Sequence, residues 1–234
     1  MSLPPIDWTD ATAEEALPQE KPLPPWEDPS LSILPALCST LTGILRRPRS
    51  FFQTLPTTGG LGEPLGFALV VGTLGLLSSL IWQALLEGGL SESASGMLLT
   101  QTLRFLNTPK LIVGLFLLAP LLVAAGQFFL SICLTWAVRL TGPSETTFEA
   151  VFRVAAYAEA PMLACLIPLV GSLAAAVWGF WVLVIGLGQT FNLTVPKAIF
   201  ALILSAVFQA MLLLFLLLLG GLFIFRGLSN FLFS

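Results

Sequence analysis

The sequence has no histidine, one tyrosine (Tyr157), three cysteines and only 10% charged residues. Each shortage excludes something. Without histidine the chain lacks the commonest general base and the commonest transition-metal ligand. Cys38, Cys133 and Cys165 lie far apart with no CxxC pair, a spacing that fits neither a disulfide framework nor a zinc site and reads as small apolar filler. HExxH and GxSxG motifs are also missing. With no catalytic set to assemble, the chain reads as non-enzymatic, and no metal or other cofactor is expected. Charged residues make up about 25% of an ordinary soluble domain, so a chain this poor in them, and 56% hydrophobic, has the composition of a membrane protein.

What charge there is sits unevenly. Seven of the thirteen acidic residues fall between Asp7 and Asp28, in an opening segment rich in proline and without the apolar core of a signal peptide. Residues 1–30 therefore read as a disordered acidic cytoplasmic tail, with Trp8 and Trp26 either docking anchors or incidental aromatics. The remainder is slightly basic and shows no nucleic-acid surface.

Residues 31–55 read as an amphipathic interfacial segment. Leu34, Leu37, Leu41, Ile44 and Leu45 fall at helical spacing behind a Ser32 cap, and Arg46, Arg47 and Arg49 follow as interfacial anchors. The stripe suits either the cytoplasmic membrane face or packing against the protein itself. A second interfacial helix is expected over residues 94–109, on the outer side.

Residues 56–234 read as an all-α membrane domain, a bundle of five transmembrane helices. Apolar runs of spanning length cover Gly66 to Leu86 and Leu111 to Val138, the second kinked at Pro120. The run from Phe148 to Phe180 exceeds one span and is divided at Ile167-Pro168-Leu169-Val170-Gly171-Ser172, giving spans over 148–166 and 171–187 joined by a tight turn. A fifth covers Ala198 to Phe223. With the N-terminus cytoplasmic, the inner side collects Lys21, Arg46, Arg47, Arg49, Arg139, Arg153 and Lys197, against Arg104, Lys110 and Arg226 outside. This positive-inside bias places the C-terminus outside; the membrane is expected to be a bacterial-type inner one.

The third span carries the chemistry. Thr146 to Glu149 has the form of a capping box, and Glu149, Arg153 and Tyr157 follow at four-residue steps. Glu149 is placed to pair with Arg153, whose long side chain can snorkel to the interface as another anchor. Glu159 falls about 20 Å from the helix start, near mid-bilayer, where a carboxylate must face the bundle interior or a water-filled pocket, or be protonated. Pro161 removes a helical hydrogen bond from Tyr157. Gln83, Gln127, Gln189 and Gln209 can serve as partners, Gln127 first because it lies mid-span. Glu159, Tyr157, Pro161 and Gln127 thus form a candidate intramembrane polar site, either a network locking helices together or a site for a solute or proton.

These residues carry a resemblance. "RRPRSFFQTLPTTGGLGEPLGFALVVG" and "FRVAAYAEAPMLACLIPLVGSLAAAVWGFWVLVIGLGQTFNLTVPKAI" resemble the Yip family of five-span membrane proteins, especially its prokaryotic-type members. The matching features are Pro48, Phe51-Phe52 and Pro64, then Tyr157, Pro161, Pro168 and Gly171, then Gly186-Leu187 and Lys197-Ala198. The likeness runs from about Ile44 to Phe223. It implies a membrane location and fold. Eukaryotic members associate with Rab GTPases in vesicle trafficking and carry a Tyr-Gly-Tyr pattern in span three, where this chain reads "AAYAEAP". Together these readings point to a membrane organising, scaffold or trafficking-type protein whose partners are lipids and other membrane proteins, its own copies included. The alternative is a small transporter or channel built around Glu159.

Overall fold

A computed structural model describes residues 22–90, 109–143 and 146–232. Among these the chain is helical, without strands. In order come a 3₁₀ turn at Pro25–Glu27, α1 (Ile33–Arg46), α2 (Pro48–Thr54), α3 (Gly62–Leu90), α4 (Pro109–Thr141), α5 (Phe148–Tyr157), a 3₁₀ segment at Ala160–Leu166, α6 (Gly171–Thr190) and α7 (Val195–Leu232).

Four helices contain stretches long and apolar enough to cross a membrane: Gly62–Gln83, Phe116–Thr141, Gly171–Thr190 and Val195–Gly221. They are apolar around most of their circumference, as helices facing lipid on one side and protein on the other must be. Pro120 lies inside α4. The expected third span, 148–166, takes another form. Its α-helix stops at Tyr157 and resumes as a 3₁₀ segment with Pro161 in its first turn. Pro161 has no N–H to bond the carbonyl one turn back, so the ladder ends there.

The turn before α6 follows the sequence pattern. Leu169 has a φ of 66°, and the Gly171 N–H donates to the Ile167 carbonyl at 3.1 Å. Gly171 is needed for contact as well: a Cβ there would sit 2.1 Å from the Ala164 carbonyl oxygen.

At the N-terminal side the structure decides one open alternative and brings a second change. The apolar stripe of α1 is turned toward the protein, with Ile44 buried and Leu37, Leu41 and Leu45 packed on the core, while Leu34 stays exposed. Ser32 precedes the helix in extended backbone but makes no side-chain cap bond. The second change concerns the tail. Its last residues are folded: Pro24 is buried, and the turn that follows lies against α1 and α3. Residues 1–21 and nearly all of the expected outer interfacial helix (94–108) lie outside the described residues.

Among the described residues the core draws on α1 to α7 and on the 3₁₀ segment Ala160–Leu166. Phe52, Phe67, Leu134, Val151, Tyr157, Val182 and Leu187 are among its fully buried side chains.

Candidate functional site

The loop between α2 and α3, Leu55-Pro56-Thr57-Thr58-Gly59-Gly60, closes over the start of α5. Gly59 and Gly60 have φ of 126° and 94°, a region that side chains with a Cβ rarely enter. That conformation aims loop carbonyls inward, onto Arg153. Arg153 Nε donates to the Pro56 carbonyl at 2.9 Å, and Nη1 donates to the Gly60 carbonyl at 3.0 Å. Glu149 holds the same loop from the other side, accepting the Gly60 N–H at 2.6 Å. The helix cap is Thr147, whose Oγ1 accepts from the Ala150 N–H at 3.2 Å.

This revises the reading of the Thr146–Arg153 stretch. The cap is one residue later than the capping-box pattern places it, and Glu149 bonds the loop rather than Arg153. Arg153 is no interfacial anchor in this structure: its side chain is 0% exposed and bonded entirely to protein groups. A buried guanidinium needs a carboxylate, and the loop carbonyls leave Nη2 unused.

The missing partner is Glu27. Arg153 Nη2 donates to both of its carboxylate oxygens, at 2.6 and 2.7 Å, and the Tyr157 hydroxyl donates to Oε1 at 2.5 Å. Glu27 is 6% exposed. Its neighbour Trp26 fixes the turn in place. The Trp26 N–H donates to Thr40 Oγ1 on α1 at 2.9 Å, and Nε1 donates to the Glu63 carbonyl at the start of α3 at 2.7 Å. The Trp26 ring meets Phe67 edge-on at 5.9 Å; Phe67 and Phe51 flank Tyr157 at 5.1 and 5.4 Å. Beyond the turn, Asp28 accepts from the Ser30 N–H and hydroxyl, which hold its carboxyl below the usual carboxylate range. Residues 22–31 therefore form a strap whose Trp-Glu pair plugs a socket between α1, α3, α5 and the glycine loop.

Sequence reasoning assigned Glu27 to the tail. A signal was present, since Pro24-Pro25 pre-organise a turn and Trp26-Glu27 couples an aromatic to an acid. No local pattern connects it to a helix 126 residues away.

The four residues of the expected intramembrane site do not gather around Glu159. The Tyr157 hydroxyl is bonded to Glu27. The Gln127 amide donates to the Phe152 carbonyl at 3.3 Å and Ser131 Oγ at 3.4 Å, and its Oε1 has no partner among the described residues. Gln83 and Gln209 bond serines on their own helices, and Gln189 accepts from Gln53. Glu159 lies against α3: a Cβ added to Gly72 would be 3.7 Å from its Oε2. No hydrogen bond reaches its carboxylate among the described residues. Pro161 lines a separate apolar groove of about 610 Å³ with Leu45, Leu163, Val177 and Trp178. Arg46, Arg47 and Arg49 are exposed at the end of α1 and on α2.

All three cysteines are free, and no group of three or more His, Cys, Asp or Glu among the described residues could hold a metal ion. Chemically, the Arg153 socket holds the chain's own Glu27 carboxylate beside the Trp26 ring.

The Yip1 domain family model matches residues 42–224, which include the glycine loop, α5 and the 3₁₀ segment, with the strap lying just before the match. Neither a curated protein nor a solved structure matches the chain.

Proposed function

The chain belongs to the Yip1 domain family of integral membrane proteins, and on that footing we propose that it is a non-enzymatic membrane organising protein of scaffold or trafficking type. Its work is to hold lipids and other membrane proteins, its own copies included. In this reading it sits in a bacterial-type inner membrane with the N-terminus cytoplasmic and the C-terminus outside, and the segment 148–166 completes five crossings. The observation that carries the proposal is the Arg153 socket. A buried arginine, a tyrosine and a glycine loop are used to grip a peptide segment, which is the chemistry of association. The span of α7 supports it, since only 6% of its most apolar stretch is buried within the chain and the rest is open to lipid or neighbouring helices.

Affinity purification in mild detergent after brief cross-linking tests this reading. A defined membrane-protein partner, or a discrete homo-oligomer, should accompany the protein in stoichiometric amount. Recovery of the monomer alone from native membranes would sink it.

One observation favours a second reading, a small transporter or channel. Glu159 has no donor among the described residues and follows directly on a proline-broken helix, the setting in which carriers build ion sites. Proteoliposomes would then show a solute or proton flux that Glu159→Gln abolishes without lowering thermal stability.

A further inference from the structure

The socket that receives Glu27 is largely complete without it. Two arms of the Arg153 guanidinium are held by the Pro56 and Gly60 carbonyls. The loop supplying those carbonyls is held in turn by Glu149. Tyr157 is fixed between Phe51 and Phe67. Arg153 Nη2 and the Tyr157 hydroxyl therefore remain aimed at one point whether or not a carboxylate is there. The strap, by contrast, has little to hold it. Its only regular structure is one 3₁₀ turn of three residues. Leu23 is 55% exposed on one side of the turn, and Pro29 and Ser30 are exposed on the other. Its attachment rests on Trp26 and Glu27, with Pro24 buried beside them.

From this asymmetry we propose that the Arg153–Tyr157 socket is a peptide-binding site for an aromatic residue followed by a glutamate, occupied in cis by Trp26-Glu27 and open to an equivalent segment of a partner protein. The proposal deepens the organising reading and rests on it, naming the kind of segment the partner would contribute. Specificity has a plain physical source. The carboxylate takes up charge-assisted bonds in a site from which water is excluded, and a neutral amide in its place leaves the guanidinium charge uncompensated. The aromatic residue adds edge-to-face contact with Phe67 and a hydrogen bond to the Glu63 carbonyl that tryptophan can make and phenylalanine cannot.

The test begins with the full-length protein, purified in detergent with a protease site inserted between Ser30 and Leu31 in the exposed turn. After cleavage the N-terminal fragment is washed away, and a fluorescent peptide copying residues 21–32 is titrated in. Saturable binding is expected, weaker by about tenfold or more for the peptide carrying Glu27→Gln. A peptide with Trp26→Ala should also lose affinity. The second arm needs no cleavage: uncut protein carrying Glu27→Gln should bind the native peptide, while the unaltered protein, with its own strap in place, should bind far less. If the cut protein stays folded and neither preparation binds the native peptide, the proposal is overturned. Equal binding of the native and Glu27→Gln peptides overturns it too. Because the assay uses a defined peptide on purified protein, its failure is distinct from failure to recover a partner from membranes.

Discussion

Arg153 satisfies three acceptors at once, and only a planar guanidinium with its fork of donors can do so. Arg153→Lys should therefore destabilise the protein even though the charge is kept, because one ammonium cannot reach the Pro56 and Gly60 carbonyls and Glu27 together. Glu27→Ala leaves the guanidinium buried and unpaired, and a loss of about 3–5 kcal/mol is expected, measured as a fall in thermal midpoint in detergent. Tyr157→Phe removes a single bond to a charged group and should cost about 1.5–3 kcal/mol. Exchanging the two charges, Glu27→Arg with Arg153→Glu, should not restore stability, since a carboxylate at 153 would face two carbonyl oxygens. Rescue by that exchange would show that the cradle geometry is unimportant. These residues were individually visible in the sequence. An arginine and a tyrosine one turn apart on α5 announced a polar face, yet the spacing offered Glu149 as the nearest carboxylate. Proximity along the helix favoured the wrong partner because Glu149 is taken as acceptor by the Gly60 N–H of the loop.

At the scale of elements, the strap is the part whose behaviour departs most from composition. A proline-rich acidic stretch carries no core-forming pattern, so its removal would be expected to change nothing. The contacts of Trp26 and Glu27 reverse that expectation for residues 22–30: deletion through Ser30 should lower the thermal midpoint by at least as much as Glu27→Ala. An unchanged midpoint would show that the strap contributes no net stability. The turn into α6 allows a sharper test. Gly171→Ala would place a methyl group against backbone at Ala164, where nothing can rotate away, and should reduce the folded yield severely, whereas Gly126, with no neighbour within 4 Å, should accept alanine freely. The Pro168–Gly171 break was legible from sequence because proline and glycine act locally. The stop at Tyr157 was only half legible. Pro161 signalled a disturbed ladder, but whether a helix kinks and continues or ends and tightens into 3₁₀ depends on packing against α3 and α6, which no local pattern encodes.

Across the whole molecule, lipid-facing helices are the easiest feature to read, because solvation by hydrocarbon imposes long apolar runs on the sequence itself. Four of the five expected crossings coincide with helices long and apolar enough to span. The direction in which α1 turns its stripe was not readable, since the same apolar face serves a membrane surface or a protein core. The orientation expected from the arginines and lysines can be checked directly. Reporter fusions at Arg49, Gly142 and Gln189 should read cytoplasmic, and fusions at Ser93 and Ser234 should read external. A cytoplasmic signal at Ser234 would show that the 148–166 segment enters and leaves on one side.

The clamp also orders events in time. Glu27 leaves the ribosome 126 residues ahead of Arg153, an interval of roughly 6–25 s at ordinary rates of synthesis. Through that interval the strap has no counter-ion, and α3 and α4 enter the bilayer without it. Arg153 arrives on α5 as a charge that must be met soon after insertion, by a segment synthesised well before it. Closure of the clamp thus records that translation has passed α5 and that α1, α3 and the glycine loop have assembled around it. A nascent chain halted before α5 should leave residues 22–30 open to protease, and one halted after α6 should protect them.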